Sequence, residues 1–449
     1  MAYDFDLLTI GAGSGGVAGS RRAASYGPRV GIIEEGRIGG TCVLRGCVPK
    51  KLLIYGVDIA DTLADAAGFG WSIDGASLDW AKLVAAKDAE LDRLHGIYIS
   101  MLDKAGVKRI EGRGVLVDAH TVQVGEQRFT AERIMIATGG WPTLPDVPGK
   151  ELAITSNEAL DLKSLPERIV IFGAGYIAVE FAGIFRAAGC AVDLVFRGDQ
   201  VLRGFDGEVR THLMESLAAR GINLLAGRTI TGITEEGAAR RVTLSDGSVI
   251  LAGQVMFATG RAPNTKGLGL EAVGVETGAH GEILVDSWSR TSVPGIYAVG
   301  DVTNRFNLTP VAIAEARAVA ETLYYNNPMS VFENVVPSAV FSRPEVGTVG
   351  LSEEAALAAG HTLDIYTTRF RPMKNTISGR GERTFMKLVV DQPTQRVLGA
   401  HMVGPDSAEI IQGLAVALTC GATKQQFDRT IGLHPSASEE FVTMRDKRA

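Results

Sequence analysis

Cys42 and Cys47, in the stretch GGTCVLRGCVPKK, are the residues best equipped for covalent chemistry: two thiols five positions apart among glycines and cations. Over that spacing a regular helix advances about 7.5 Å and turns about 140°, which points the two side chains apart. A disulfide needs Cα atoms within about 7 Å of each other. A bridge here therefore requires a distorted first turn, which Gly39, Gly40 and Gly46 permit. Such a strained bridge opens easily, and the positive end of the helix together with Lys50 favours a thiolate afterwards. Packing as two small apolar residues suits these surroundings less well. A second candidate for chemistry is His434, which joins no apolar stripe and stands just before an expected helix start. An imidazole can act as a general acid–base near neutral pH. Ser436 and Glu439 follow in capping-box spacing, so Glu439 also reads as a helix cap.

Two glycine turns point to nucleotides. Gly11, Gly13 and Gly16 fill G-x-G-x-x-G between an apolar strand, Phe5 to Ile10, and a small-residue helix, Val17 to Tyr26. A second strand, Val30 to Ile33, ends in Glu34 and Glu35, where an acid suits a ribose hydroxyl and the glycines suit a diphosphate. The unit recurs at 169–197, with Gly173, Gly175 and Ala178 in the fingerprint. Gly173 lies 162 residues after Gly11 (173 − 11), and the same offset from Glu34 lands on Phe196, followed by Arg197 and then Arg203. An acid replaced by arginine suits a 2′-phosphate, so this site is expected to take NADP(H) rather than NAD(H). Each unit closes on a similar strand and turn, IMIATGG and QVMFATGR. Two such sites suggest one dinucleotide held and one exchanging. A further strand reaches Gly300-Asp301 and leads to a helix with Thr309 as expected N-cap and Pro310 at its first position. Aimed at an isoalloxazine ring, that helix start stabilises the anion of a reduced flavin, and Asp301 suits a ribityl hydroxyl.

The elements that must position these groups need several domains, since 449 residues exceed one core. Helices are expected over Leu52 to Ala67 and Trp80 to Ala105, short strands over 107–137, and a linker at DVPGKE. From 332 the texture changes to an α+β domain without a fingerprint. Basic and acidic residues, 45 and 51, are well mixed, which argues against nucleic acid or a membrane surface as partner. Four cysteines make no secreted disulfide framework, and Cys190 and Cys420 read as inert core residues. An early first strand and the absence of a spanning apolar run point to the cytoplasm. No metal site is expected.

In this order, the first fingerprint, C-x₄-C, second fingerprint, Gly-Asp segment and terminal H-P-x-x-x-E resemble the pyridine nucleotide–disulfide oxidoreductases over essentially the whole chain. The resemblance is nearest the glutathione-reducing branch, of the bacterial and plant kind. It implies an α/β fold: two Rossmann-like dinucleotide-binding domains and a C-terminal α+β dimerisation domain. The implied segments are 1–148 and 265–331 for FAD, 149–264 for NADPH and 332–449 for the interface of a homodimer. FAD would be held by Gly11, Gly13, Ser14, Gly15, Gly16, Glu34, Gly40, Thr41, Lys50, Thr138, Gly139, Gly300, Asp301 and Thr309. NADPH would meet Gly173, Gly175, Tyr176, Ile177, Glu180, Arg197, Arg203, Gly260 and Arg261, with Tyr176 covering the empty nicotinamide site and Lys50 pairing with Glu180 near the flavin. Ser14, Arg21, Tyr98 and Arg317 match contacts to oxidised glutathione, while Met101 stands where some relatives have a polar residue. His434 and Glu439 would enter the other subunit's active site. In the implied mechanism Cys47 is the thiolate beside the flavin, Cys42 attacks the substrate disulfide and His434 protonates the leaving thiol. Dihydrolipoamide dehydrogenase shares the layout but uses NAD(H), against Arg197 and Arg203. Mercuric and large thioredoxin reductases carry an extra C-terminal redox pair where this chain ends MRDKRA. A flavin sensor without turnover has no use for an intact dithiol with His434.

Overall fold

The structure, a computed structural model, describes residues 3–331 and 335–448. The expected start of the last domain, at 332, lies outside the described residues. The chain forms two compact units: Met1–Leu52, Val84–Thr143 and Gly260–Glu333 make the first, and Leu53–Leu83, Leu144–Thr259 and Asn334–Ala449 the second.

The first unit is built on a mainly parallel sheet. Phe5–Ile10 pairs in parallel with Val30–Glu34 on one side and Gln127–Ile136 on the other, and Lys108–Glu111 and Ile296–Ala298 extend the set. Strands covered on both faces must be apolar throughout, and Leu7, Leu8, Ile32 and Ile33 are all buried. Gln127–Ile136 changes partner along its length. Its beginning pairs antiparallel with Thr121–Val124 and its end parallel with Phe5–Ile10, which is why 107–137 reads as a run of short strands.

Two helices of this unit cross closely, Ser14–Ala24 and Thr309–Tyr324. Small residues make the approach possible: a Cβ on Gly15 would lie 3.2 Å from the Ala312 carbonyl oxygen, and one on Gly19 3.0 Å from the Ala316 Cβ. The first helix begins at Ser14 rather than Val17, because the fingerprint glycines supply its first turn.

In the second unit a four-stranded parallel sheet runs in the order Asn223–Ala226, Ala191–Phe196, Arg168–Phe172, Gln254–Phe257. The helix Tyr176–Ala187 buries every residue from Ala178 to Phe185. Beyond it, five antiparallel strands are ordered Ser338–Val340, Val346–Gly350, Val397–Val403, Thr384–Asp391, Leu363–Phe370. The helix Ser407–Thr419 packs Ile411, Ala415 and Leu418 into the core of this sheet. Thr384–Asp391 is buried along its whole length, Lys387 included. The α/β class and the fingerprint-free last region are as expected. Among the described residues no helix is long and apolar enough to cross a membrane, and no group of His, Cys, Asp and Glu is arranged to hold a metal ion.

Candidate active site

The dithiol segment is two helices, not one distorted turn. Gly40–Arg45 ends at Gly46, and Cys47–Ala66 begins immediately after. Each cysteine thus belongs to a different helix, and the break folds the chain back so that the thiols meet. Gly46 is needed there because a Cβ would lie 3.0 Å from the Thr41 carbonyl oxygen. At the other end Gly40 has φ +62°, and a Cβ would come within 2.5 Å of the Gly13 Cα, so the dithiol segment rests directly on the first fingerprint.

Cys42 and Cys47 are not joined in a disulfide, and Cys42 is half-buried and Cys47 exposed. Cys42 donates to Cys47, and this hydrogen bond, ahead of burial and the Cys47 charge, pushes its pKa far up, against weaker opposing bonds to Thr309 and Ser14. Cys42 is therefore the sulfur that holds its proton tightly. Thr309 is not the N-cap. Leu308 takes that position, leaving the Thr309 hydroxyl 3.7 Å from the Cys47 sulfur. Both crossing helices thus begin at the sulfur pair, where their N-termini favour negative charge. Tyr98 faces the same place: burial, then the Cys42 charge, raise its phenol, and the Arg21 charge lowers it. Arg21 holds a buried Nε without a hydrogen-bond partner. Ser14 and Tyr98 are therefore gathered around Cys42, with Arg21 close to Tyr98, while Arg317 is exposed.

The first nucleotide turn is as tight as its motif requires. Gly11, at φ +103°, packs so closely that a Cβ would be 2.4 Å from the Ala137 carbonyl oxygen. Glu34 turns its carboxylate to the turn, accepting from the amides of Ala12 at 2.7 Å and Gly36 at 2.9 Å. Glu35 instead pairs with Arg113 at 3.1 Å. Thr138 donates to the Asn264 carbonyl at 2.8 Å, next to Gly139. Arg261 donates to the Gly140 carbonyl and to Thr41 and stabilises the Asp301 carboxylate, whose pKa burial nonetheless raises. Gly260 and Arg261 thus belong to the first unit, beside Thr41 and Asp301. Sequence reasoning passed over the pair that fixes this turn. Glu315, 2% exposed, accepts from the Gly300 amide at 2.7 Å and from Arg305 at 2.7 Å. A lone glutamate inside the alanine run AIAEARAVA was its only signal.

The second turn repeats the first. A Cβ on Gly173 would be 2.2 Å from the Ala258 carbonyl oxygen. Gly175 caps the helix without a side chain, leaving its first amides for an anion, and Tyr176 and Ile177 form its first turn. Phe196, in the place of the acid, is buried, and Arg197 and Arg203 are exposed. Glu180 is buried and accepts from the Phe341 amide at 2.9 Å.

His434 is also in the second unit, its side chain 80% exposed, with Nδ1 3.0 Å from Glu439. The same carboxylate accepts from the Ser436 amide at 3.3 Å, so Glu439 both caps the short turn Ala437–Glu439 and orients the imidazole. Nearby Ile431 and Leu433 are 93% and 73% exposed, an apolar edge that asks for a partner.

The pyridine nucleotide-disulphide oxidoreductase family matches residues 5–316, and that family's dimerisation domain matches residues 336–445. Glutathione reductases of Nostoc sp. and Burkholderia cepacia are each 50% identical to the chain, covering 99% of it and 100% and 99% of themselves. Trypanothione reductase of Leishmania donovani is 41% identical, over 99% of this chain and 96% of its own. With a dithiol at the first fingerprint, a second fingerprint and a His–Glu pair in the last domain, the chain belongs to the pyridine nucleotide-disulphide oxidoreductases.

Proposed function

We propose that the protein is an NADPH-dependent glutathione-disulfide reductase, a homodimer acting through FAD and the Cys42/Cys47 pair. The observation that carries this is the sulfur pair itself, Cys42 hydrogen-bonded to Cys47 at the meeting point of two helix N-termini. The glutathione reductases among its relatives supply the substrate. Residues 1–148 and 260–331 serve FAD, 149–259 NADPH and 332–449 the dimer, the second boundary falling before Gly260 rather than at 265. Four cysteines in so long a chain suit a reducing compartment, and we place the reaction in the cytoplasm.

The chain is built to receive FAD. The helix Ser14–Ala24 starts with no side-chain cap and no acid in its first turn, which leaves its amides for a diphosphate. Glu34 is set for ribose hydroxyls and Asp301 for the ribityl chain, and we place Arg261, on its geometry, with this site rather than with NADPH. When bound, FAD supplies the two-electron relay between the nicotinamide and the sulfurs. Arg197 and Arg203 grip the 2′-phosphate, where the apolar Phe196 repels nothing.

Cys42 attacks one sulfur of oxidised glutathione, and because its proton is held tightly it needs a base. His434 of the second subunit takes that proton and returns it to the departing thiol, with Glu439 steadying the imidazolium. Cys47 then displaces the second glutathione as a thiolate and closes the disulfide, so one disulfide is exchanged for another, and the second glutathione takes its proton from solvent. Arg21, with its unsatisfied Nε, suits a substrate carboxylate. The test is steady-state oxidation of NADPH and NADH with oxidised glutathione and lipoamide. Turnover is expected with NADPH and glutathione disulfide; preference for NADH and lipoamide would overturn the proposal.

A further inference from the structure

Arg203 stands on the segment 197–206, between the strand Ala191–Phe196 and the helix Gly207–Ala219. An exposed arginine on a loop grips a phosphate well only if the loop is already in place. This loop is fastened at two points. At the first, Leu202 adopts φ +53°, a left-handed conformation that leucine disfavours. Its amide donates to the carbonyl of Ala174, inside the second fingerprint, at 2.7 Å, and its side chain is 2% exposed. Arg210 adds a bond from Nε to the Val201 carbonyl at 2.8 Å. The residue that carries Arg203 next to it is thus tied to the turn that carries the diphosphate.

The second fastening is Asp206, three residues after Arg203 and 1% exposed. Its carboxylate caps the helix by accepting from the Glu208 amide at 3.1 Å, and accepts from the Glu353 amide at 3.1 Å. Against it lies Lys387, 1% exposed, from the fully buried strand Thr384–Asp391. The ammonium is 2.9 Å from Asp206, 2.7 Å from Glu208 and 2.6 Å from Glu353, one carboxylate for each of its protons. Arg448 pairs with Glu208 and Glu353 from the other side. Removing Lys387 alone leaves the Asp206 carboxylate buried without the ammonium that lies against it.

We infer that Lys387 is a positioning residue for coenzyme selectivity: by holding Asp206 it sets Arg203 for the 2′-phosphate of NADPH. The inference rests on the proposed coenzyme role of Arg203. The 2′-phosphate distinguishes NADPH from NADH, so a displaced Arg203 weakens one coenzyme and spares the other.

The test uses the holoenzyme with oxidised glutathione. Lys387→Met is expected to raise KM for NADPH about tenfold, the scale of a small misplacement at a binding group, with kcat and KM for NADH little changed. Lys387→Arg restores a cation and should largely preserve the NADPH/NADH ratio. Asp206→Asn keeps the helix cap but loses the charge that Lys387 holds, and should shift the ratio the same way by less. It decides the question if Lys387→Met does not fold. Unchanged selectivity, or equal loss for both coenzymes alongside a lower melting temperature, would overturn the inference. Arg203→Ala separates the two readings. If it lowers the ratio and the Lys387 and Asp206 variants do not, only the inference fails; if it leaves the ratio alone, the coenzyme assignment fails as well.

Discussion

Glu439 serves His434 and Ser436 with one carboxylate, and glutamine can keep only one of these contacts intact. In a capping box Gln replaces Glu, so Glu439→Gln should melt within about 0.5 kcal/mol of the parent. It loses the charge that steadies the imidazolium, so disulfide turnover should fall about tenfold or more. A large loss of stability with activity preserved would make Glu439 a cap only. His434→Gln removes the acid itself. Glutathione-disulfide reduction is then expected to fall about 10²-fold or more, while the first equivalent of NADPH is consumed at a normal rate. Rapid-mixing measurements separate the two half-reactions, and equal losses in both would remove His434 from its assigned step. At the coenzyme site, neutral replacements of Arg197 and Arg203 should each cost about 1.5–3 kcal/mol of NADPH binding and little of NADH binding. The KM ratio reads this directly, and equal losses would leave both arginines as surface residues.

At the level of elements, the dithiol depends on where the helix is interrupted. Gly40→Ala puts a methyl 2.5 Å from the Gly13 backbone at a positive φ. The segment must then lift from the first fingerprint. The variant is expected to purify with little FAD, read from its visible absorbance, and full occupancy would show that the contact is dispensable. How much of this was legible follows from what each element buries. Strands covered on both faces, such as Phe5–Ile10 and Arg168–Phe172, announce themselves as apolar runs, and each fingerprint follows its strand. The helix Gly207–Ala219 does not, because its buried side includes His212 and Ser216. The small sheet Ile230–Glu236, Ala239–Leu244 and Val249–Ala252 is half exposed and equally quiet. Thr309 misled because a threonine before proline reads as a cap, whereas here its hydroxyl turns to Cys47. The break at Gly46 was sensed as a distortion that any of Gly39, Gly40 and Gly46 could permit, since spacing alone cannot say which glycine bends. Burial of Lys387 against Asp206 depends on a contact far along the chain, which no local pattern encodes.

For the molecule as a whole, stability should respond to pH through buried histidine. His401 lies among Asp206, Lys387 and Glu354, and burial, first among the causes, lowers its pKa below the ordinary 6.5. A lowered folded pKa means that the unfolded chain takes up the proton first. The stabilisation is therefore complete above pH 6.5 and is lost as pH falls from there toward the folded value. Thermal melts should be flat above neutrality and decline below it, and His401→Gln should flatten the first part of that decline; an unchanged slope would assign it elsewhere. The shared site has its own test. Cys42→Ser chains mixed with His434→Gln chains form heterodimers with one intact combination, and recovered turnover is expected in proportion to them. No recovery with heterodimer present would mean that each chain uses its own histidine. The edge formed by Ile431, Leu433 and His434 then has a meaning for the protein's life in the cell. On the proposed shared site, a newly synthesised chain that folds alone holds a thiol pair without the histidine that serves it. The same proposal has it gain reducing power on finding its counterpart, at the moment its oily margin is covered. Dilution should therefore silence the enzyme reversibly, and the same encounter that protects the chain from aggregation switches it on.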